Sequence, residues 1–443
     1  MPLPRTIQRS LNSPRLPVRV PAAALLRLAA IVAAATSIAG FSSAADMASA
    51  ARESLSAGDA RRHVTTLADD TLEGRRAGSR GGRAASAYLA EQLERIGTAP
   101  AGESGSFFQP FRGMRNVIAI VRGRDPELSR EAVLVGAHYD HVGYGTPSNS
   151  YGPTGYIHNG ADDNASGVAG LLEIAEALSL LPTRPRRTIV LAFWDGEEID
   201  LLGSRHFITN RPPPLAHHTI VFSVNLDMIG RLRDRTLEVF GSRTAVGLRR
   251  CVTAANRTDE LALAFTWELS DDSDHYPFIA AGIPTLMFHT GLHPEYHRPS
   301  DDAHLVNYEG IPPVTRVALE TVLAVADDSG PAPVFRPECR RESESGRRRL
   351  ESPAPPAVPK RWGLGTREDP GDPTAPIVVR VSPQTPTALA GVAVGDRIVA
   401  IDGKPLVDQE AMIRRLSEAG PEVTLTLERR GVLREIRCLA KTQ

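Results

Sequence analysis

Five short stretches of this 443-residue chain concentrate side chains able to do chemistry, and none of them holds a thiol. In order they are His138-Tyr139-Asp140, Gly160-Ala161-Asp162-Asp163-Asn164-Ala165-Ser166-Gly167, Glu197-Glu198, Asn225-Leu226-Asp227 and Tyr296-His297-Arg298-Pro299-Ser300-Asp301. Hard carboxylates mixed with a few imidazoles suit zinc or a related divalent ion. The donors exceed one ion's needs, which suggests a pair of ions sharing one carboxylate. Asp162, with Gly160 before it and a helix after it, is the expected bridge. Adjacent Glu197 and Glu198 cannot both point at one ion from a regular strand, so one reads as a ligand and the other as a free carboxylate. The free one would act as general base on a water whose pKa the ion lowers to about 7, then pass the proton to a leaving amine. Asp140, two residues beyond His138, can share its side of a strand end, accept the second imidazole N–H and fix the tautomer.

These residues need a scaffold that brings distant segments to one rim. His138 follows an apolar run over 133–137, Glu197 and Glu198 follow the run 188–194, and Asp227 follows the run 220–226. Further strand-like runs cover 116–121, 237–240 and 285–288, and helical spacing covers 84–96, 166–181, 245–256 and 310–327. The alternation predicts a three-layer α/β domain with a mixed, largely parallel and buried sheet. In such sheets ligands collect beyond the carboxyl ends of the strands, where this chain spends its acids and imidazoles. The insert 144–158, rich in Gly, Tyr and Ser, is expected at the substrate rim. His141 and His158 read as loop bystanders, and Ser273-Asp274-His275 lies before a predicted strand.

Lys plus Arg number 51 and Asp plus Glu 52, a balance that argues against a polyanion-binding protein. Cys251, Cys339 and Cys438 are scattered and form neither a disulfide framework nor a thiolate zinc site. At the N-terminus Arg5, Arg9, Arg15 and Arg19 precede an apolar run over 28–41 closed by Ser43-Ala44-Ala45, the grammar of a signal peptide. The expected organisation is a leader over 1–45 cut after Ala45, a catalytic domain over 46–329, a Pro- and Arg-rich linker over 330–360 and a small β-rich domain over 361–443. The leader implies export to the periplasm or beyond, with a retained N-terminal anchor as the alternative. No membrane span is expected once the leader is cut.

The five motifs, in this order, resemble the zinc aminopeptidases of clan MH, typified by bacterial leucyl aminopeptidase, over roughly 46–328. The resemblance implies two zinc ions, with Asp162 bridging them, His138 and Asp227 completing one site, Glu198 and His297 the other, and Glu197 as the general base. It also implies a cis peptide between Asp162 and Asp163. The last domain resembles the PDZ domains of bacterial exported proteases, with Trp362-Gly363-Leu364-Gly365 as the carboxylate-binding loop and 388–403 as supporting motif. Peptide substrates, and a peptide or protein C-terminus in the PDZ groove, are the implied partners. The same scaffold also serves carboxypeptidases, amidohydrolases and one-zinc glutaminyl cyclases. A non-enzymatic peptide binder would show eroded ligands, and none is eroded.

Overall fold

A computed structural model describes residues 50–355 and 361–440. The expected leader lies outside them. Apolar runs at period two and 3.6 build a nine-stranded mixed sheet flanked by helices. At its centre the Glu131–His138 strand pairs parallel with Thr188–Trp194 on one side and Thr219–Leu226 on the other, and Thr285–His289 continues the parallel set beyond Thr219–Leu226. Antiparallel Met114–Val121 and Thr236–Phe240 flank this core, and Ala262–Phe265 pairs parallel with Thr236–Phe240 near the far edge. The central strands are buried on both faces, which is why they read as unbroken apolar runs rather than alternating ones. Gly167–Ser179 and Ile311–Ala326 cover one face with Val168, Leu171, Leu172, Val314 and Val322, all buried.

The three adjacent parallel strands end side by side, with His138 in register with Trp194 and Gly136 with Asn225. The residues that follow, Glu197–Glu198 and Asp227, are thereby delivered to the rim where His138 sits.

The C-terminal domain is a separate antiparallel sheet of six strands, with Ile377–Val381, Arg397–Ile401 and Glu422–Arg429 at its centre. The helix Gln409–Glu418 covers it through Met412 and Leu416, and the indole of Trp362 donates to Leu416 O at 2.8 Å. A groove of about 440 Å³ opens between Trp362, Gly363, Leu364 and Gly365 on one side and Met412, Ile413 and Leu416 on the other. Gly363 has φ of +77°, and a Cβ there would lie 2.2 Å from Thr385 Oγ1, so the loop accepts only glycine.

The stretch expected to be a free linker is not one over its described part. It carries the helix Glu344–Glu351, a 3₁₀ turn at Pro337–Arg341 and a buried Cys339. Its order comes from polar ties to the domains rather than from an apolar core of its own. Arg336 N donates to Thr244 O at 2.7 Å, and Glu344 accepts from Trp267 N at 2.9 Å. The turn Arg430–Gly431 of the second domain lies against the Ala262–Phe265 strand, with Leu263 N donating to Arg430 O at 2.9 Å. An edge strand that would otherwise offer an open backbone is thus partly covered.

Candidate metal centre

Two groups of donor atoms lie at the carboxyl rim of the parallel strands: His141, Asp163, Glu198 and His297 in one, and His138, Glu197 and Asp227 in the other. Asp163 stands between them. Its Oδ1 is 3.4 Å from His138 Nε2, and its Oδ2 is 3.1 Å from His297 Nε2. His138 Nε2 is also 3.4 Å from Asp227 Oδ1, and Glu198 Oε2 is 3.2 Å from His297 Nε2. Spacings of this size are those of ligands around one small cation whose bonds are about 2.0–2.2 Å.

Local structure explains why Asp163 and not Asp162 takes the central place. Residues 161–166 wind as a wide, irregular turn in which successive carboxylates diverge. Asp162 Oδ1 accepts from Ser166 Oγ at 2.8 Å and from Gly230 N at 2.6 Å, and its Oδ2 faces His293 Nε2 at 3.3 Å. Its oxygens hold the loop after Asp227, and Asp162 stands in neither donor group. Asp301 Oδ2 accepts from the N–H of both Asp162 and Asp163, at 3.0 Å each, and so fixes the turn from below. The cis peptide is Asp163–Asn164, one position later than expected.

The remaining predicted residues separate into two kinds. His138, Asp227, Glu198 and His297 stand in the donor groups. Asp140 does not reach the centre. Its Oδ1 accepts from Glu197 N at 3.1 Å and lies 3.9 Å from His138 Nδ1, whose nearer acceptor is the Asp140 carbonyl at 3.2 Å. Its carboxylate therefore holds Glu197 more closely than it holds the imidazole. Glu197 Oε2 is 4.0 Å from His138 Nε2, at the margin of its group. Ser273 Oγ donates to Asp227 Oδ2 at 2.6 Å and leaves Oδ1 turned to His138.

Reading from the sequence missed His141 and Arg75. His141 is fully buried with Nδ1 2.7 Å from Glu198 Oε1. The signal that could have found it is Gly160, where a Cβ would meet the His141 ring at 2.5 Å. Arg75, also fully buried, donates to the carbonyls of Tyr139, Leu67, Asn159 and Gly160, tying the first motif to the second.

The adjacent glutamates are pushed apart electrostatically. Burial, with Glu198, Asp274 and Asp227 adding to it, drives Glu197 well above the usual carboxylate range. Burial acts on Glu198 too, but His141 and His297 hold it down to about 2. Against burial, hydrogen bonds to Asp163 and Glu198 raise His297 to about 11, so this group favours positive charge. Asp227 Oδ1 is buried with no hydrogen-bond partner. An orphaned, buried carboxylate oxygen turned toward an imidazole is what a cation site requires.

The centre opens on a cavity of about 510 Å³. Met228, Phe240, Met287 and Leu292 give it apolar walls, Tyr151 from the Gly-rich insert and Tyr296 close one side, and Glu238 and His289 sit among them. Tyr151 N donates to His297 O at 2.9 Å, so the insert is pinned at the rim.

Residues 116–322 match peptidase family M28, and residues 377–429 match the PDZ domain. The chain carries an M28 peptidase domain followed by a PDZ domain. Proteins named aminopeptidases are among the relatives this chain matches. Aminopeptidase YwaD of Bacillus subtilis is 28% identical over 204 residues, 44% of this chain and 41% of that protein. Leucine aminopeptidase 1 of Trichophyton rubrum is 27% identical over 250 residues, 52% of this chain and 63% of that protein. The matched segments thus span between two fifths and two thirds of these relatives. The crystal structure of the LapA aminopeptidase of Legionella pneumophila superposes with a TM-score of 0.54 at 19% identity, covering 64% of this chain and 75% of that one, a likeness of fold.

Proposed function

We propose that the chain is an exported aminopeptidase holding two zinc ions, which removes N-terminal residues from peptides, with a PDZ groove that takes a peptide or protein C-terminus. The observation that carries the two-ion reading is Asp163, with one carboxylate oxygen toward each donor group. A one-ion cyclase site would leave one donor group unused. Export rests on the N-terminal Arg-rich and apolar runs. Among the described residues no helix is long and apolar enough to cross a membrane.

His138, Asp163 and Asp227 would hold one ion, and Asp163, Glu198 and His297 the other. When bound, the ions would supply Lewis acidity to a water and to the scissile carbonyl. The protein's part is then proton handling and placement. Glu197, kept out of the ligand set and with its backbone held by Asp140, accepts the proton of the water and later delivers it to the leaving amine. Ser273 fixes Asp227 through its outer oxygen. The walls formed by Met228, Phe240 and Met287 receive the side chain of the substrate's first residue.

The test is a peptide library, free and N-acetylated, incubated with the zinc-loaded protein and read by mass spectrometry. Loss of single N-terminal residues from free amines alone is expected. Trimming from the carboxyl end, or of acetylated peptides, would replace aminopeptidase with carboxypeptidase or amidohydrolase.

A further inference from the structure

The groove of the C-terminal domain has an arginine at its edge that the fold itself hardly uses. Among the described residues the strand Leu364–Arg367 pairs only with Ile377–Val381, so its other edge is open along the groove. Partnered residues of an antiparallel pair share a face, and successive pairs alternate. Leu364 and Val381 are partnered and both pack on the core of the domain, so the next pair, Gly365 and Arg380, lies on the outward face. Gly365 makes room for that arginine. A Cβ there would come within 2.9 Å of Arg380 Cβ and 3.1 Å of its Cζ and Nε, so the guanidinium lies over bare backbone.

Two arginines and no acid line the groove. Arg361 is committed: it donates to Ala419 O at 2.8 Å and to Gly420 O, beyond the end of the helix Gln409–Glu418. Arg380 is not. Its Nη1 reaches Pro355 O at 3.4 Å, longer than an ordinary N–H···O bond, and its Nε is buried without a partner.

We infer that the groove selects a C-terminus whose last residue is apolar and whose second-to-last residue is acidic, the acid pairing with Arg380. This rests on the reading of the groove as a PDZ peptide site. A chain end added as a strand along Leu364–Arg367 alternates its side chains between two directions. With its carboxylate at the loop Trp362-Gly363-Leu364-Gly365, the last side chain enters the groove, where Leu364, Met412 and Leu416 offer apolar surface. The side chain before it must point outward, over Gly365. An Asp or Glu there supplies the acceptor that Arg380 Nε lacks, and a carboxylate can meet Nε and Nη together. A lysine there would face a like charge. An acid one place further from the end would point into the apolar groove and be desolvated without a partner.

The experiment is fluorescence anisotropy of the full chain with short Gly/Ser peptides ending in Glu-Val, Ala-Val, Lys-Val or Glu-Ala-Val, and with the Glu-Val peptide as its C-terminal amide. An N-terminal fluorescein reports binding and blocks trimming. Glu-Val is expected to bind about 5-fold tighter than Ala-Val, the upper worth of a partly exposed ion pair, with Lys-Val weaker than both. Added NaCl should shrink that advantage. Arg380→Gln should abolish it, and Arg380→Glu should invert it so that Lys-Val binds best. Equal binding of the three peptides, an order that Arg380→Gln leaves unchanged, or a preference for Glu-Ala-Val would overturn the role of Arg380 and leave the PDZ reading standing. No binding by any peptide, or an amide that binds as well as the free acid, would overturn the PDZ reading itself. Thermal melts check that each variant is folded. Where one is not, the wild-type order of peptides and its salt dependence still decide.

Discussion

Asp369→Ala tests whether the PDZ domain is a docked part of the molecule or a module on a string. The Asp369 carboxylate is buried at 1% exposure, with Arg243 Nη1 of the peptidase domain at 2.7 and 2.8 Å from its two oxygens and Arg397 Nη1 of its own domain at 2.8 Å. Arg243 also pairs with Glu342 of the connecting stretch, at 2.5 and 2.7 Å, and lies over the Trp267 ring at 3.6 Å. One guanidinium therefore joins all three segments. Removing one partner of a buried pair costs about 3–5 kcal/mol, because charge is left behind without compensation. Here the lower end applies, since Arg243 keeps Glu342 while Arg397 keeps Glu351 at 3.5 Å and Glu428 at 4.0 Å. The expected result is a loss of about 3 kcal/mol in urea unfolding, together with faster proteolytic release of the PDZ domain. Hydrolysis of a chromogenic amino-acid amide under native conditions should be nearly unchanged, as the donor groups contain none of these residues. A change below about 0.5 kcal/mol, the worth of an exposed ion pair, with proteolysis as slow as in wild type would refute the docking argument.

Glu197→Gln should keep its zinc and lose about 10²- to 10⁴-fold in kcat, whereas Glu198→Gln should lose zinc as well; the reverse pattern of metal content would exchange the two roles. Asp163→Asn is expected to lower occupancy of both ion sites, while Asp162→Asn, whose carboxylate serves Ser166 and Gly230 N, should lower thermal stability more than zinc content by elemental analysis. Burial raises Glu173 from 4.5 to about 7. Below pH 4.5 folded and unfolded chains are both protonated there. As pH climbs from 4.5 to 7 only the unfolded state ionises, and stability falls by at most about 3 kcal/mol. Glu173→Gln should therefore stabilise the protein at pH 8 and be nearly neutral at pH 4, and thermal melts showing the same shift at both would contradict this.

The sheet was legible because buried parallel strands advertise themselves as unbroken apolar runs, and three such runs stop just before His138, Glu197 and Asp227. The choice between Asp162 and Asp163 was not legible. Residues 161–166 follow neither the strand nor the helix period, so no rule of facing assigns adjacent carboxylates to sides. His141 was passed over because loop position says nothing about burial until the loop is closed on Gly160. The connecting stretch misled for a related reason. Arginines and glutamates spread over 243–428 read as solvated charge one at a time, and only the fold shows Arg243, Glu342, Asp369 and Arg397 meeting away from water.

The acids at the centre outnumber what the protein itself supplies to balance them. Asp140, Asp162, Asp163, Asp274 and Asp301 are each at most 3% exposed, and Asp227 and the two glutamates join them at the rim. The fully buried Arg75 could have been spent on neutralising them. Instead its four hydrogen bonds go to main-chain carbonyls, and it meets the carboxylates of Asp163, Asp140, Asp301 and Glu198 only through space. Placed this way, the guanidinium locks the His138 and Asp163 loops at a fixed separation while leaving the donor oxygens free. A lysine could not do this, since a single ammonium has neither the span nor the planar fork to reach carbonyls on two loops. The guanidinium thus sets the geometry of the centre through main-chain carbonyls and leaves the two oxygens of Asp163 turned to the two donor groups.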